Sequence, residues 1–175
     1  MFKVQYSNPA DMGAVDTATI GIATKTIDFA AYALDDPRIV TALVARAIAG
    51  VKVRIYLDRT ELKASASKVA SLAACPIGPL MVQGNITILV KSSTVLMHMK
   101  SYCVDNSMLR DGSTNFSVPG EELQDNSLTL TDDPTAIAAF NAKFATMWSR
   151  ADNLSPNVAV QFTPHASFHA ARHSH

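Results

Sequence analysis

The order of segments between Thr26 and Leu57 limits what this chain can fold into more than any other feature. Thr26 to Leu34 is a β-branched and aromatic run, the composition of a strand. It ends at Asp35-Asp36-Pro37, and an Asp cap followed by Pro in the first turn opens a helix. Ile39, Leu43, Val44, Ala47 and Ile48 then share one helical face up to Ala49, where Gly50 stops the helix. Val51 to Leu57 is the next strand. A strand, a helix and a strand in that order belong to a sheet with helices laid against it.

The rest of the chain continues the alternation. Phe2 to Tyr6 reads as a strand and Met12 to Ala23 as a helix. A polar loop is expected after Asp58, followed by a small-residue helix from about Ser65 to Ala74. Pro76, Gly78 and Pro79 break the chain before strands at about Ile86 to Lys91 and Val95 to Asp105. Ser127 to Thr131 is a short strand, and Asp132-Asp133-Pro134 opens a last helix that places Ile137, Phe140, Phe144 and Trp148 in one core stripe. The pattern predicts an α/β sandwich: a mixed, mostly parallel sheet flanked by helices on both faces. We expect one domain over residues 1–152 and a C-terminal strand or tail over 153–175. His165, His169, His173 and His175 fall in that tail. A four-residue spacing can set three of them on one helical face as metal ligands, but nothing apolar anchors the segment, so no metal site is expected there.

Composition removes several classes. With 48% hydrophobic and 17% charged residues, wholesale disorder is excluded. Fifteen basic residues balance fifteen acidic ones, so the strongly basic domain typical of many nucleic-acid binders is absent, although a local basic groove is compatible with this total. Cys75 and Cys103 are too few for a disulfide scaffold or a Cys-based zinc site. No apolar run reaches the roughly 18 residues of a bilayer span. Met1-Phe2-Lys3-Val4 lacks the layout of a secretory signal. The expected location is therefore cytoplasmic if Met1 is the native start, and periplasmic or secreted if a signal has been removed.

Chemistry concentrates in HMKSYCVDNSMLRDGSTN, residues 98–115. On a strand His98 and Lys100 project together, with Met99, Ser101 and Cys103 on the other side. A neutral imidazole can attack phosphorus while an ammonium holds the phosphate oxygens as charge builds on them. Ser113 and Asn115, again two apart, offer a hydroxyl and an amide to the same anion, and Gly112 permits close backbone approach. Nucleophile, cation and neutral donors make a set that needs neither metal nor cofactor. Each residue alone is weak evidence, since a lone His is usually structural and GSTN alone would pass for a turn. The weight lies in six residue types at fixed spacing.

These residues resemble the HKD motif of the phospholipase D superfamily, matched without a gap at His98, Lys100, Asp105, Gly112, Ser113 and Asn115. Ile27 to Leu34, the following helix and Gly50 to Ile55 resemble the family's opening strand-helix-strand, and the likeness spans roughly residues 2 to 150. The resemblance implies a phosphodiester hydrolase in which His98 forms a phosphohistidine intermediate and Lys100 and Asn115 hold the phosphate. It gives Asp105 a structural role. It also implies a carboxylate orienting His98, with Asp125 the best match and Glu121 and Glu122 as alternatives.

One motif is half an active site, because His98 cannot be both nucleophile and acid for the leaving group. A two-fold homodimer that faces the two His98 residues across one pocket supplies the second. Length and single motif resemble the small bacterial Nuc-like endonucleases of the superfamily. Nucleic acid is the expected substrate, with Arg59, Lys63 and Lys68 as candidate phosphate contacts. Phospholipid is the alternative, for which Pro76 to Met81 (PIGPLM) offers an apolar surface. An inactive nucleic-acid-binding module is a second alternative, opposed by the intact motif.

Overall fold

The structure is a computed structural model that describes residues 1–7 and 11–160. Its elements are β1 (Phe2–Tyr6), α1 (Met12–Gly21), β2 (Thr26–Ala31), α2 (Pro37–Ile48), β3 (Lys52–Leu57), α3 (Arg59–Ala66), a 3-10 turn (Leu72–Ala74), α4 (Gly78–Met81), β4 (Ile86–Val90), β5 (Lys100–Val104), β6 (Met108–Gly112), a π turn (Pro119–Leu123), β7 (Ser127–Thr131), α5 (Pro134–Trp148) and α6 (Pro156–Val160). The described strands form one sheet in the order β1-β7-β6-β5-β2-β3-β4.

The start signals act as the sequence implies. Asp11, Asp36, Asp58 and Asp133 cap α1, α2, α3 and α5, each carboxylate accepting a backbone N–H of the first turn. Gly50, at φ +93°, ends α2 in a conformation that side chains disfavour.

Helices cover both faces of the sheet. On one face α2 sets Ile39, Leu43 and Ala47 against Ile27 and Phe29 of β2 and Val53 and Ile55 of β3. On the other, α5 sets Ile137, Phe140, Phe144 and Met147 against Ala30, Tyr56, Cys103 and Leu109. Trp148, the last of the expected stripe, is only partly buried and stacks on Phe144. Truncating the buried Phe144 to Ala would cost about 3–5 kcal/mol through lost contacts and the cavity left behind.

The sheet is mixed, but parallel pairing is confined to β2-β3-β4. The four other pairings, β1-β7, β2-β5, β5-β6 and β6-β7, are antiparallel, so the expected preponderance of parallel strands is not found. The cause is local. Asp105 and Asn106 adopt left-handed φ values of 51° and 54°, which fold β5 back on β6 as a hairpin with no room for a crossover helix.

Two other expectations change. The loop expected after Asp58 is α3, because that carboxylate accepts from Thr60 N and Glu61 N and starts the helix at once. The expected strand from Val95 begins only at Lys100. Of the segment from 153 onward the described part ends at 160: Leu154 exchanges backbone hydrogen bonds with Val90 at 2.9 Å, and α6 follows. The C-terminal histidines lie outside the described residues.

Candidate active site

His98 sits in the stretch leading into β5, not on the strand, and the backbone on both sides of it is held. Met97 N donates to Asp58 Oδ2 at 2.7 Å, and Tyr32 N donates to Met99 O at 2.9 Å. Asp58 therefore has two duties, capping α3 with one oxygen and anchoring the residue before His98 with the other. The imidazole itself is exposed, with its ring centre 4.5 Å from that of Tyr32 at an interplanar angle of 62°.

Lys100 opens β5 opposite Ala31 and is 5% exposed. Its Nζ donates to His98 O at 2.9 Å and lies 4.6 Å from the centre of the Tyr32 ring. Burial lowers its pKa; Glu61 and Asp58 pull it back up, and Arg110 opposes them. The expected projection of His98 and Lys100 from one strand is not found, since His98 precedes β5; the two are linked through the His98 carbonyl and the Tyr32 ring. The lysine reaches back to the histidine's own carbonyl, and Tyr32 touches both side chains.

Asp105 belongs to the hairpin and not to the pocket. Its carboxylate accepts from Thr24 N, Thr24 Oγ1, Lys25 N and Thr26 N at 2.8–2.9 Å, tying the β5-β6 turn to the entry of β2. Burial works against the charge, but these donors outweigh it and hold the pKa at about 2.

Gly112, at φ +151°, packs so closely on β7 that a Cβ would stand 2.2 Å from Ser127 O. The close approach here is to the neighbouring strand. Ser113 Oγ accepts from Ser127 N at 2.9 Å and donates to Asn126 Oδ1 at 3.0 Å, so this hydroxyl is occupied within the fold. Asn115 differs: its Oδ1 is buried and has no hydrogen-bond partner among the described residues.

The connection between the two halves of the motif was not legible in the sequence. Arg110 of β6, fully buried, donates from Nη1 to Lys100 O at 2.6 Å and to Thr114 O at 3.2 Å. One guanidinium therefore joins Lys100 to the residue before Asn115. It is held by Asp16 of α1, through Nε at 3.0 Å and Nη2 at 2.7 Å, and Tyr102 also donates to Asp16 at 2.8 Å. Glu121 completes this cluster. Burial and then the neighbouring Asp16 push its pKa up to about 9. An Arg in the middle of a strand carries no sequence signal for such a duty.

The expected orienting carboxylate is not on the imidazole. Among the described residues no side chain hydrogen-bonds to the His98 ring. Asp125 is exposed and lines an open cleft of about 410 Å³ with Tyr6, Ser7, Ser113, Asn126 and Ser127. The inward position is taken by Asn126, whose amide bonds Ser113 and Gly120 O. Of the alternatives, Glu121 is buried behind the site and Glu122 pairs with Arg38 at 3.0 Å. Among the described residues there is no cluster of three or more His, Cys, Asp or Glu side chains suited to a metal ion. A larger open groove of about 730 Å³, lined in part by Asp28, Lys52, Arg54 and Asn141, contains none of the motif residues.

Residues 17–148 match the family described as "Cardiolipin synthase, PLD-like domain". The chain is 26% identical over 133 residues to a mitochondrial cardiolipin hydrolase of Xenopus tropicalis, covering 76% of this chain and 59% of that one. It is 30% identical over 128 residues to a phospholipase D of Rickettsia prowazekii, covering 73% and 58%. It thus spans less than two thirds of the length of these relatives. Its fold is similar to that of Nuc, a phospholipase D family member from Salmonella typhimurium, with a TM-score of 0.74 at 22% identity over 89% of this chain and 98% of that one. Family match and fold agree, and the chain belongs to the phospholipase D-like domain family.

Proposed function

We propose that this protein is a phosphodiester hydrolase that works without a metal, most specifically a non-specific endonuclease whose site is shared by two subunits. The observation that carries the reading is an exposed imidazole beside a buried ammonium, with the backbone of Lys100 tied through Arg110 to that of Thr114, the residue before Asn115. The buried Asn115 Oδ1 is an acceptor that a water can satisfy, and it is the amide N–H of Asn115 that would donate to a phosphate oxygen.

In this mechanism a neutral ring nitrogen of His98 attacks phosphorus. The N–P bond forms as the P–O bond to the leaving group breaks. His98 of a two-fold partner, as imidazolium, gives its proton to the departing oxygen. Water then attacks phosphorus and passes its proton to that second imidazole, the N–P bond breaks, and both histidines return to their starting forms. Lys100 and the Asn115 amide hold the phosphate oxygens throughout. Asp125 and Ser113 form the rim of the cleft beside it.

For nucleic acid speak Lys63 and Lys68, both exposed on or just past α3, the helix that starts under the His98 backbone. Arg59 is instead committed to Ser92 O at 2.7 Å. A lipid reading has its own support. PIGPLM is largely internal, with Ile77 and Leu80 buried, but Val95 and Leu96 just before His98, and Val118 and Leu123 after Asn115, are exposed.

The test is hydrolysis of DNA, RNA, a small diester and phospholipid vesicles side by side in excess chelator. Cleavage of nucleic acid that persists with chelator and disappears in His98→Ala supports the reading. Loss of activity with chelator, or full turnover by His98→Ala, overturns the mechanism. Preference for vesicles transfers it to the lipid class. A competent monomer in light scattering at assay concentration refutes the shared site.

A further inference from the structure

We propose that Tyr32 is a positioning residue of this site, an aromatic platform that keeps the Lys100 ammonium charged and free to grip phosphate while steadying the His98 ring. The inference rests on the phosphodiesterase reading above. Tyr32 follows β2, where the register Ala31↔Lys100 and the bond from Tyr32 N to Met99 O bring it alongside the motif. Its ring meets the His98 ring at 4.5 Å and the Lys100 Nζ at 4.6 Å.

The reason for an aromatic ring lies in what it leaves free. A buried ammonium needs stabilisation or it loses its proton. A carboxylate in contact would supply that, but would neutralise the charge and occupy the N–H donors. A π face attracts the cation and consumes no donor. Lys100 uses one donor on His98 O and, among the described residues, has no carboxylate within ion-pair distance. Two donors therefore remain for a phosphate. The charged groups facing it are Glu61 and Asp58 from α3 and Arg110 from β6; His98 and Tyr32 complete its surroundings. The Glu61 carboxylate beside the Tyr32 hydroxyl keeps the phenol protonated and the ring electron-rich.

The experiment compares wild type, Tyr32→Phe, Tyr32→Leu and His98→Ala on bis(p-nitrophenyl) phosphate from pH 5 to 10. This leaving group departs without a proton, so the alkaline limb of kcat/KM reports Lys100 and not the second histidine. Tyr32→Leu should lose roughly 3- to 30-fold in kcat/KM, the range of a desolvated cation–π contact, and its alkaline limb should move to lower pH. Tyr32→Phe, which keeps the ring, should stay close to wild type. NMR gives a readout independent of turnover. The Lys100 Hε protons should lie upfield in wild type and Tyr32→Phe through the ring current, and return to the ordinary lysine position in Tyr32→Leu.

An unmoved limb in Tyr32→Leu, or equal shifts in the Leu and Phe variants, overturns the platform. So do Lys100 Hε protons at their ordinary position in wild type, a result that stands even where Tyr32→Leu does not fold. Wild-type turnover by His98→Ala refutes the phosphodiesterase mechanism instead, and the Hε shifts still decide the ring–ammonium contact.

Discussion

Asp105 and Glu121 carry opposite electrostatic instructions. Asp105 is ionised into strong acid because four donors hold it, so the stability it contributes is present above the ordinary carboxylate pKa of 3.8 and lost as pH falls toward 2. Asp105→Asn should cost roughly 1–2 kcal/mol at pH 7 with kcat nearly unchanged, and the gap from wild type should close by pH 2 in acid unfolding. A large loss of kcat in this folded variant would put Asp105 in the chemistry. Glu121 is the reverse case. Its folded pKa of about 9 lies above the ordinary 4.5, so the folded protein keeps a proton that the unfolded chain gives up. Stability should fall as pH rises from about 5 to 9, and Glu121→Gln should flatten that slope. Thermal unfolding across the interval checks it, and a flat wild-type profile rejects it. The motif residues were readable because their types and spacing are fixed by chemistry. Arg110 and Glu121 were not, since their duties depend on partners 94 and about 105 positions away in sequence at Asp16.

At the scale of elements, α3 shows how one side chain can set both a helix and a site. Asp58→Ala removes the cap, worth about 0.5–2 kcal/mol, and leaves the buried Met97 N–H unpaired at a further 1–3 kcal/mol. It should lower Tm by several degrees and, in the protein still folded at 25 °C, reduce kcat on a small diester by loosening the His98 backbone. Unchanged kcat with reduced Tm would confine Asp58 to the helix. The β2-α2-β3 unit was legible because its cap, proline, apolar face and terminal glycine all agree. The start of α3 was missed because Arg59 to Ala66 is too polar to advertise a buried face; only Leu62 and Ala66 are buried. The strand β6 escaped because Asp111 and Gly112 read as turn residues, and the antiparallel half of the sheet follows from the hairpin it completes.

The whole molecule is a sheet with helices on both faces, and its two edges are treated differently. At β4 the edge is bridged at its last residue, where Val90 and Leu154 exchange hydrogen bonds, and α6 packs beside it. At β1, the other edge, the described residues offer no strand beyond, and Phe2, Val4 and Tyr6 are exposed. An open edge is a template for another chain. Polymers of stacked sheets need two open edges per molecule, and among the described residues β1 is the edge left open along its whole length. Edge-to-edge association should therefore stop at a pair, giving a heat-induced species of finite size instead of fibrils. Val4→Lys should suppress that species in size-exclusion runs after mild heating, and growth to fibrils in wild type would show that a second edge opens first. The short bridge at Leu154 would then act as a chain terminator, setting how far misassembly can grow.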